Sequence, residues 1–233
     1  MGKVIMSGIV PLLSVPSTTK PNFADNTWAQ IIKACQTNKV PDTWAVGSQK
    51  TMAIGGTDYV IDIIGKNHDT YSSGGTAPLT FQLHDCYGTA YAMNSSDTNV
   101  GGWTSCAMRT THLPAILSLM PSEVQNGIRE VNKLTSAGNQ SVTINTMADK
   151  LFLLSEIEIF GSASFSKSGE GTQYDYYKAG NSKVKKFNGS AESWWERSPH
   201  GSNSMRFCYV YSNGTAVSTN ASNAIGVAFA FCF

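Results

Sequence analysis

A chain of 233 residues with 41% hydrophobic and 10% aromatic content can bury a sizeable core, which excludes global disorder. Only 14% of its residues are charged and the formal net charge is +1, so no field gathers phosphates and nucleic-acid binding is not expected. No run approaches the ~20 apolar residues that span a bilayer, and membrane insertion is not expected either.

Residues 1–21 mix apolar positions with Pro11, Pro16 and Ser/Thr and read as an extended arm. Val4 to Leu13 is a weak match to a signal peptide. The remainder, residues 22–233, is read as one domain. Asp25 or Asn26 is expected to cap a helix running to Cys35, because Trp28, Ile31, Ile32 and Cys35 fall on one face. Tyr59 to Ile64 is a β-rich run ending at Gly65. Leu79, Phe81 and Leu83 alternate with polar residues as a half-buried strand would, and the polar stretch from Lys66 to Ala77 reads as the loop between them.

A helical region begins near His112, with Pro114 in its first turn and Leu113, Ile116, Leu117 and Met120 as its apolar stripe. Pro121 ends or kinks it, and Val124, Ile128 and Val131 continue the spacing. Lys150 to Leu154 is an apolar run, and Ser155 with Glu158 matches a capping box opening a short helix that stops near Gly161. Glu156 and Glu158 read as first-turn acids favoured by the helix dipole, not as a catalytic pair. The basic cluster Lys183, Lys185 and Lys186 reads as a solvated linker. Trp194 to Pro199, Phe207 to Tyr211 and Gly226 to Phe233 read as sheet, the last with one apolar face, and Ser212-Asn213-Gly214 as a turn. Between these anchors the sequence looks too irregular for a regular element.

Chemistry-bearing motifs are sparse. The five cysteines, Cys35, Cys86, Cys106, Cys208 and Cys232, are odd in number and widely spaced, and read as buried thiols made in a reducing compartment. His68-Asp69 and His84-Asp85 read as turn or surface hydrogen-bond pairs, with no HExxH, GxSxG or phosphate-loop signature beside them. No catalytic residue, metal ligand or cofactor is therefore assigned.

The series Trp103-x-x-Cys106-x-Met108-Arg109, His112-Leu113-Pro114, Asp149 to Glu156, Gly171-x-Gln173-Tyr174-x-Tyr176-Tyr177, Trp194-Trp195-x-Arg197-Ser198-Pro199 and Gly226-Val227-x-Phe229 resembles an uncharacterised domain family of phages and prophages of gut Firmicutes. That resemblance implies an α+β, C-type-lectin-like fold of the formylglycine-generating-enzyme superfold: a twisted antiparallel sheet, two main helices and long loops. Residues 191–225 also resemble the variable regions of retroelement-diversified proteins such as phage tropism determinants, since Ser, Asn, Thr, Ala, Tyr, His, Val and Ile are reachable from an Asn codon through its adenines.

On this likeness the ligand-contacting set is Glu192, Ser193, His200, Ser202, Asn203, Met205, Arg206, Tyr211, Val217, Ser218, Thr219, Asn220, Asn223 and Ile225. Tyr supplies rigid amphipathic area in such surfaces, and small polar residues adapt their hydrogen bonds. Trp194, Trp195 and Arg197 are expected to scaffold the loops. The implied function is non-catalytic recognition of a host-surface protein or glycan by a tail-tip component, with trimerisation and other tail proteins as further partners. The location would be the virion or a bacterial surface after cytoplasmic synthesis. A fixed-specificity lectin or adhesin and a formylglycine-generating-type enzyme are the alternatives. Against them stand the missing Glu-Pro-Asn sugar motif, the missing acidic calcium loop and the missing pair of active-site cysteines.

Overall fold

Thr27 opens the first long helix. Its hydroxyl accepts from the Gln30 amide while the Gln30 side chain accepts from the Thr27 amide, a reciprocal cap that satisfies two orphan donors of the helix start. The cap therefore falls beyond the expected Asp25 or Asn26. Asn26 is instead buried, its amide spent on the carbonyls of Lys20, Asn22 and Phe23. Helix α1 (Trp28–Gln36) buries Trp28, Ile31, Ile32 and Cys35 as the spacing predicts.

The computed structural model describes residues 18–233, so most of the expected arm lies outside the described residues. From Thr18 onward the chain docks on itself: Gln30 Nε2 donates to the Thr18 carbonyl and Trp44 Nε1 to the Lys20 carbonyl, each at 3.0 Å.

Strands β1 (Gln49–Ile54), β2 (Thr57–Lys66) and β3 (Leu79–Leu83) form an antiparallel meander. The β1–β2 turn is Gly55-Gly56 with φ of 58° and 84°, a left-handed pair that side-chain-bearing residues adopt only with strain. After helix α2 (Gly102–Ser105) comes a π-helical turn at Met108–His112, continued by α3 (Leu113–Leu117) and, past Pro121, by α4 (Ser122–Gly127). Val131 does not extend this helical run. It opens β4 (Val131–Ser136), whose pairing with β5 (Ile144–Asp149) buries Val131, Lys133 and Thr135. The i, i+3 spacing is overridden by a strand partner lying further along the chain.

Then follow β6 (Leu151–Phe152), α5 (Glu156–Phe160), α6 (Asp175–Lys178), the hairpin β7 (Lys185–Phe187) and β8 (Ser190–Glu192), and strands β9 (Trp194–Pro199), β10 (Arg206–Val210), β11 (Ala216–Asn220) and β12 (Ala230–Cys232). Helix α5 starts on the predicted Ser155–Glu158 capping box and stops at Gly161, whose φ is 80°.

The result is an α+β fold, mostly antiparallel sheet with few helices. Where one sheet and two main helices were expected, there are a five-stranded sheet in the order β1-β2-β3-β12-β6, a three-stranded sheet β11-β10-β9, and the two-stranded pairs β4-β5 and β7-β8. Among the described residues α1 alone exceeds six residues. Ala230–Cys232 form the inner strand β12 of the large sheet, and residues 227–233 are buried throughout, on both faces and not on one. β3, beside β12, is likewise buried along its whole length and not half-buried. Tertiary position has overridden the alternation of polar and apolar residues in both strands.

Two further expectations fail for the same reason. The segment taken as irregular contains β11, and the lysine linker forms β7. Lys185 is only 3% exposed, its ammonium donating to the Leu83 and His84 carbonyls, and burial pushes its pKa down to about 8.

The interior is held by an ionic network that the sequence did not foreshadow. Lys133 Nζ lies 2.7 Å from both Asp69 Oδ1 and Glu158 Oε1. Glu158 in turn holds Arg197 at 2.5 and 2.9 Å. The guanidinium also donates to the Leu153, Leu134 and Glu170 carbonyls, so all of its N–H groups have acceptors. Asp69 accepts from Thr80 and Tyr174 as well, which makes it an interior anion and not a surface turn residue. Burial alone would raise its pKa, but the adjacent Lys133 ammonium outweighs that and holds it down to about 2. Strands β4 and β9 and helix α5 are locked together by this chain of charges.

Candidate ligand-binding surface

The three-stranded sheet places most of the predicted contact set together. In the β10–β11 register Arg206 faces Asn220, Phe207 faces Thr219 and Tyr209 faces Val217. The turn beyond Tyr211 closes with its amide donating to the Thr215 carbonyl and the Gly214 amide donating back to the Tyr211 carbonyl. Met205 and Tyr211 are each 46% exposed, and Ser202, Arg206 and Asn223 are exposed too. His200, Asn203, Ile225 and residues 217–220 are half-buried. Two of the set lie apart: Glu192 is exposed on the separate β7–β8 hairpin, and Ser193 is buried.

Trp194, Trp195 and Arg197, on strand β9 of this sheet, are wholly buried. Trp195 meets Tyr209 edge-on at 6.0 Å and Tyr209 meets Tyr211 at 6.5 Å, so a line of rings runs from the core to the exposed Tyr211. The Trp195 indole N–H is taken by the Tyr91 carbonyl and that of Trp194 by the Lys183 carbonyl. These tryptophans therefore have no free polar edge to offer a ligand.

The surface is pinned from beneath by residues that the sequence did not single out. Asn99 is fully buried. Its amide donates to the Arg206 and Asn203 carbonyls at 2.7 and 2.9 Å, while its oxygen accepts from the Asn139 amide at 2.8 Å. Asp97 accepts from Asn220 Nδ2 at 2.8 Å and from both the amide and the hydroxyl of Ser222. Those hydrogen bonds hold its pKa below the ordinary aspartate range. Tyr91 and Ile225 exchange main-chain bonds. The loop comes close because Gly138 approaches it: a Cβ there would stand 1.8 Å from the Asn99 carbonyl. Within the sequence, Asn94-Ser95-Ser96-Asp97-Thr98-Asn99 looks like any polar turn, and nothing in it marks Asn99 as buried.

Chemically, the surface offers hydrogen-bonding groups, aromatic and thioether area, and one cation. Arg206, Met205 and Tyr211 make no side-chain hydrogen bond or ion pair among the described residues. All five cysteines are buried, and burial pushes the thiols of Cys35, Cys86 and Cys106 up to about 12. His200 is lowered by its burial and by neighbouring Arg206. No cluster of three or more His, Cys, Asp or Glu among the described residues is placed to hold a metal ion. No helix among them is long and apolar enough to cross a membrane. Clefts of about 230 and 460 Å³ lie elsewhere, against α3 and α1, and none of the predicted contact residues lines them.

Residues 79–233 match a domain family of unknown function, DUF6273, and the chain belongs to that family. The matched region takes in β3 and everything after it, including the whole candidate surface and its supports. No curated protein and no solved structure matches the chain.

Proposed function

We propose that this chain is a non-catalytic binding module whose C-terminal surface recognises another macromolecule, in the setting of a phage or prophage tail tip meeting a host surface. The observation that carries the reading is a division of labour within residues 200–225. The main chain of this segment is fixed by the buried Asn99 and, at Ser222, by the partly exposed Asp97, while the side chains of Met205, Arg206 and Tyr211 make no hydrogen bond or ion pair among the described residues. A surface held by its backbone tolerates changed side chains without refolding, which is the physical requirement of a recognition loop on a rigid scaffold. The finer, C-type-lectin-like reading of the α+β fold is supported by the motif series from Trp103 to Phe229 and by the return of β12 to the middle of the first sheet.

The test is binding of the fluorescently labelled full chain to a panel of intact Gram-positive gut bacteria, read by flow cytometry. The wild type should label some strains and the triple variant Met205→Ala, Arg206→Ala, Tyr211→Ala none, at unchanged thermal stability. A triple variant that labels cells as well as the wild type places recognition elsewhere and overturns the reading.

A further inference from the structure

The sheet β11-β10-β9 is closed on one side and open on the other. At the β9 edge the outward amides of Trp195 and Arg197 are taken by the Gly226 and Leu154 carbonyls. At the β11 edge the situation is reversed. Tyr211 bonds Thr215 and Ala221 bonds Met205, which fixes the alternation of the antiparallel ladder. Val217 and Thr219 therefore face β10, whereas the N–H and C=O of Ala216 and Ser218 and the N–H of Asn220 point outward. None of these outward groups has a hydrogen-bond partner among the described residues.

Edges of this kind are commonly guarded by charge, proline or a covering segment. Strand β1, the edge of the larger sheet, is guarded: it carries Lys50, whose ammonium reaches the Ala24 carbonyl at 3.0 Å, and Trp28 donates to the Thr51 carbonyl at 3.2 Å. β11 is Ala-Val-Ser-Thr-Asn, with no charge and no proline. Of the flanking side chains, Arg206 opposite Asn220 is a cation without an ion-pair partner among the described residues.

We propose that β11 is a docking strand for an extended segment of a protein partner, which adds a fourth strand to this sheet. The proposal rests on the binding function proposed above and specifies its ligand class. Donors and acceptors that repeat at every second residue along a straight edge are matched by another extended backbone. Glycan hydroxyls can meet single groups of this edge, but only an extended backbone matches its two-residue repeat. Main-chain pairing supplies affinity, and selectivity comes from the free Arg206 on one face, for an acidic side chain on the incoming strand, and from Tyr209 and Val217 on the other.

The experiment uses the full chain, a bead-displayed random nonapeptide library and a glycan array. Selected peptides should bind the wild type, enrich acidic residues, and protect the Ala216 and Ser218 amides from hydrogen exchange. Ser218→Pro removes only an N–H that has no partner, so the fold is retained while peptide affinity falls about tenfold or more. Ala216→Pro, which likewise removes an outward N–H, gives the same readout should the first variant lose its cooperative unfolding.

Peptide binding that survives both prolines, or peptides that leave the Ala216 and Ser218 amides unprotected, overturns the docking strand; loss of that binding in Arg206→Ala or Tyr211→Ala would leave the binding surface itself standing. Capture of glycans alone overturns it in favour of side-chain recognition. Concentration-dependent dimerisation that Ser218→Pro abolishes, without peptide binding, assigns the edge to a second copy of this chain. No capture of any kind removes both the docking strand and the binding function on which it rests.

Discussion

The interior and the C-terminal surface divide the polar groups of this chain in opposite senses. Among the described residues ten charged side chains are buried, with Asp69, Lys133, Glu158 and Arg197 in one network. The surface that faces outward from residues 200 to 225 has a single charged side chain, Arg206. Charge inside is committed to one geometry, since each ion has several partners and any alternative packing would strand it. Neutral polar groups outside carry no such commitment. Ten charges are thus committed to the interior, while the face formed by residues 200 to 225 carries one.

The sharpest way to break this comparison is to exchange the two arginines' fates. Arg197→Ala strips Glu158 of its bidentate partner and takes the guanidinium donors from the Leu134, Leu153 and Glu170 carbonyls in the core. A loss of about 3–5 kcal/mol in urea unfolding is expected. Arg206→Ala, at an exposed position, should stay within about 0.5 kcal/mol. Equal losses would mean that Arg206 has structural partners after all and that the surface is not free to vary.

Asn99 stands on the boundary between the two regions, buried like the network but serving the surface. Asn99→Ala removes the donors to the Asn203 and Arg206 carbonyls and should cost about 1–3 kcal/mol. The loss should be accompanied by faster hydrogen exchange confined to residues 200–206. Exchange that quickens uniformly across the protein would make Asn99 part of the common core and not a pin for the loop.

Local signals in the sequence were legible where local physics decides. The Ser155–Glu158 capping box, the apolar face of α1 and the Ser212-Asn213-Gly214 turn all lie where short-range rules put them. What was not legible depends on partners far along the chain. Val131 carries a helical spacing, yet its β5 partner makes it strand; Lys185 sits in a basic run, yet the Leu83 and His84 carbonyls draw it inside. Glu156 and Glu158 were placed on the right helix for the right capping reason. Their burial, and the ion pair of Glu158 with Arg197, could not be read from spacing. For the surface, only resemblance points to the segment, and Asp97 and Asn99, which bond to it, are ordinary polar loop residues in the sequence.

The interior also contains acids in the opposite state. Glu196 is fully buried with neither carboxylate oxygen partnered, and burial, then the nearby Glu156 and Glu170 carboxylates, hold its pKa well above the ordinary glutamate range. Burial raises Glu170 too, against the pull of Arg197. The contribution of these two glutamates is complete below the ordinary glutamate pKa and is lost as pH rises through the raised folded values, by up to about 1.4 kcal/mol per pH unit for each group. Asp69 and Glu158, held low by their cationic partners, contribute above the ordinary range and are lost as pH falls through their folded values. Urea unfolding between about pH 5 and pH 8 should show a decline that Glu196→Gln flattens, with the acid limb unchanged. A wild-type profile with no decline across this window, or one that Glu196→Gln leaves unchanged, would show that Glu196 is ionised in the fold.

The smallest expected effect is the most informative about function. Met205→Ala and Tyr211→Ala remove half-exposed side chains that support nothing beneath them, and each should shift stability by no more than about 0.5 kcal/mol. Tyr211 stands at the exposed end of the Trp195–Tyr209 ring line, so its truncation leaves Tyr209 against Trp195 in place. Against a bound partner the same substitutions should cost far more, because an exposed aromatic ring on a fixed backbone gives contact area at little cost in side-chain entropy. A ratio of binding loss to stability loss well above one for Tyr211, set beside a ratio below one for Arg197, is the quantitative form of the contrast between the two regions. A Tyr211→Ala variant that unfolds early, with a loss approaching that of Asn99→Ala, would move this ring from the recognition surface into the packing of the sheet.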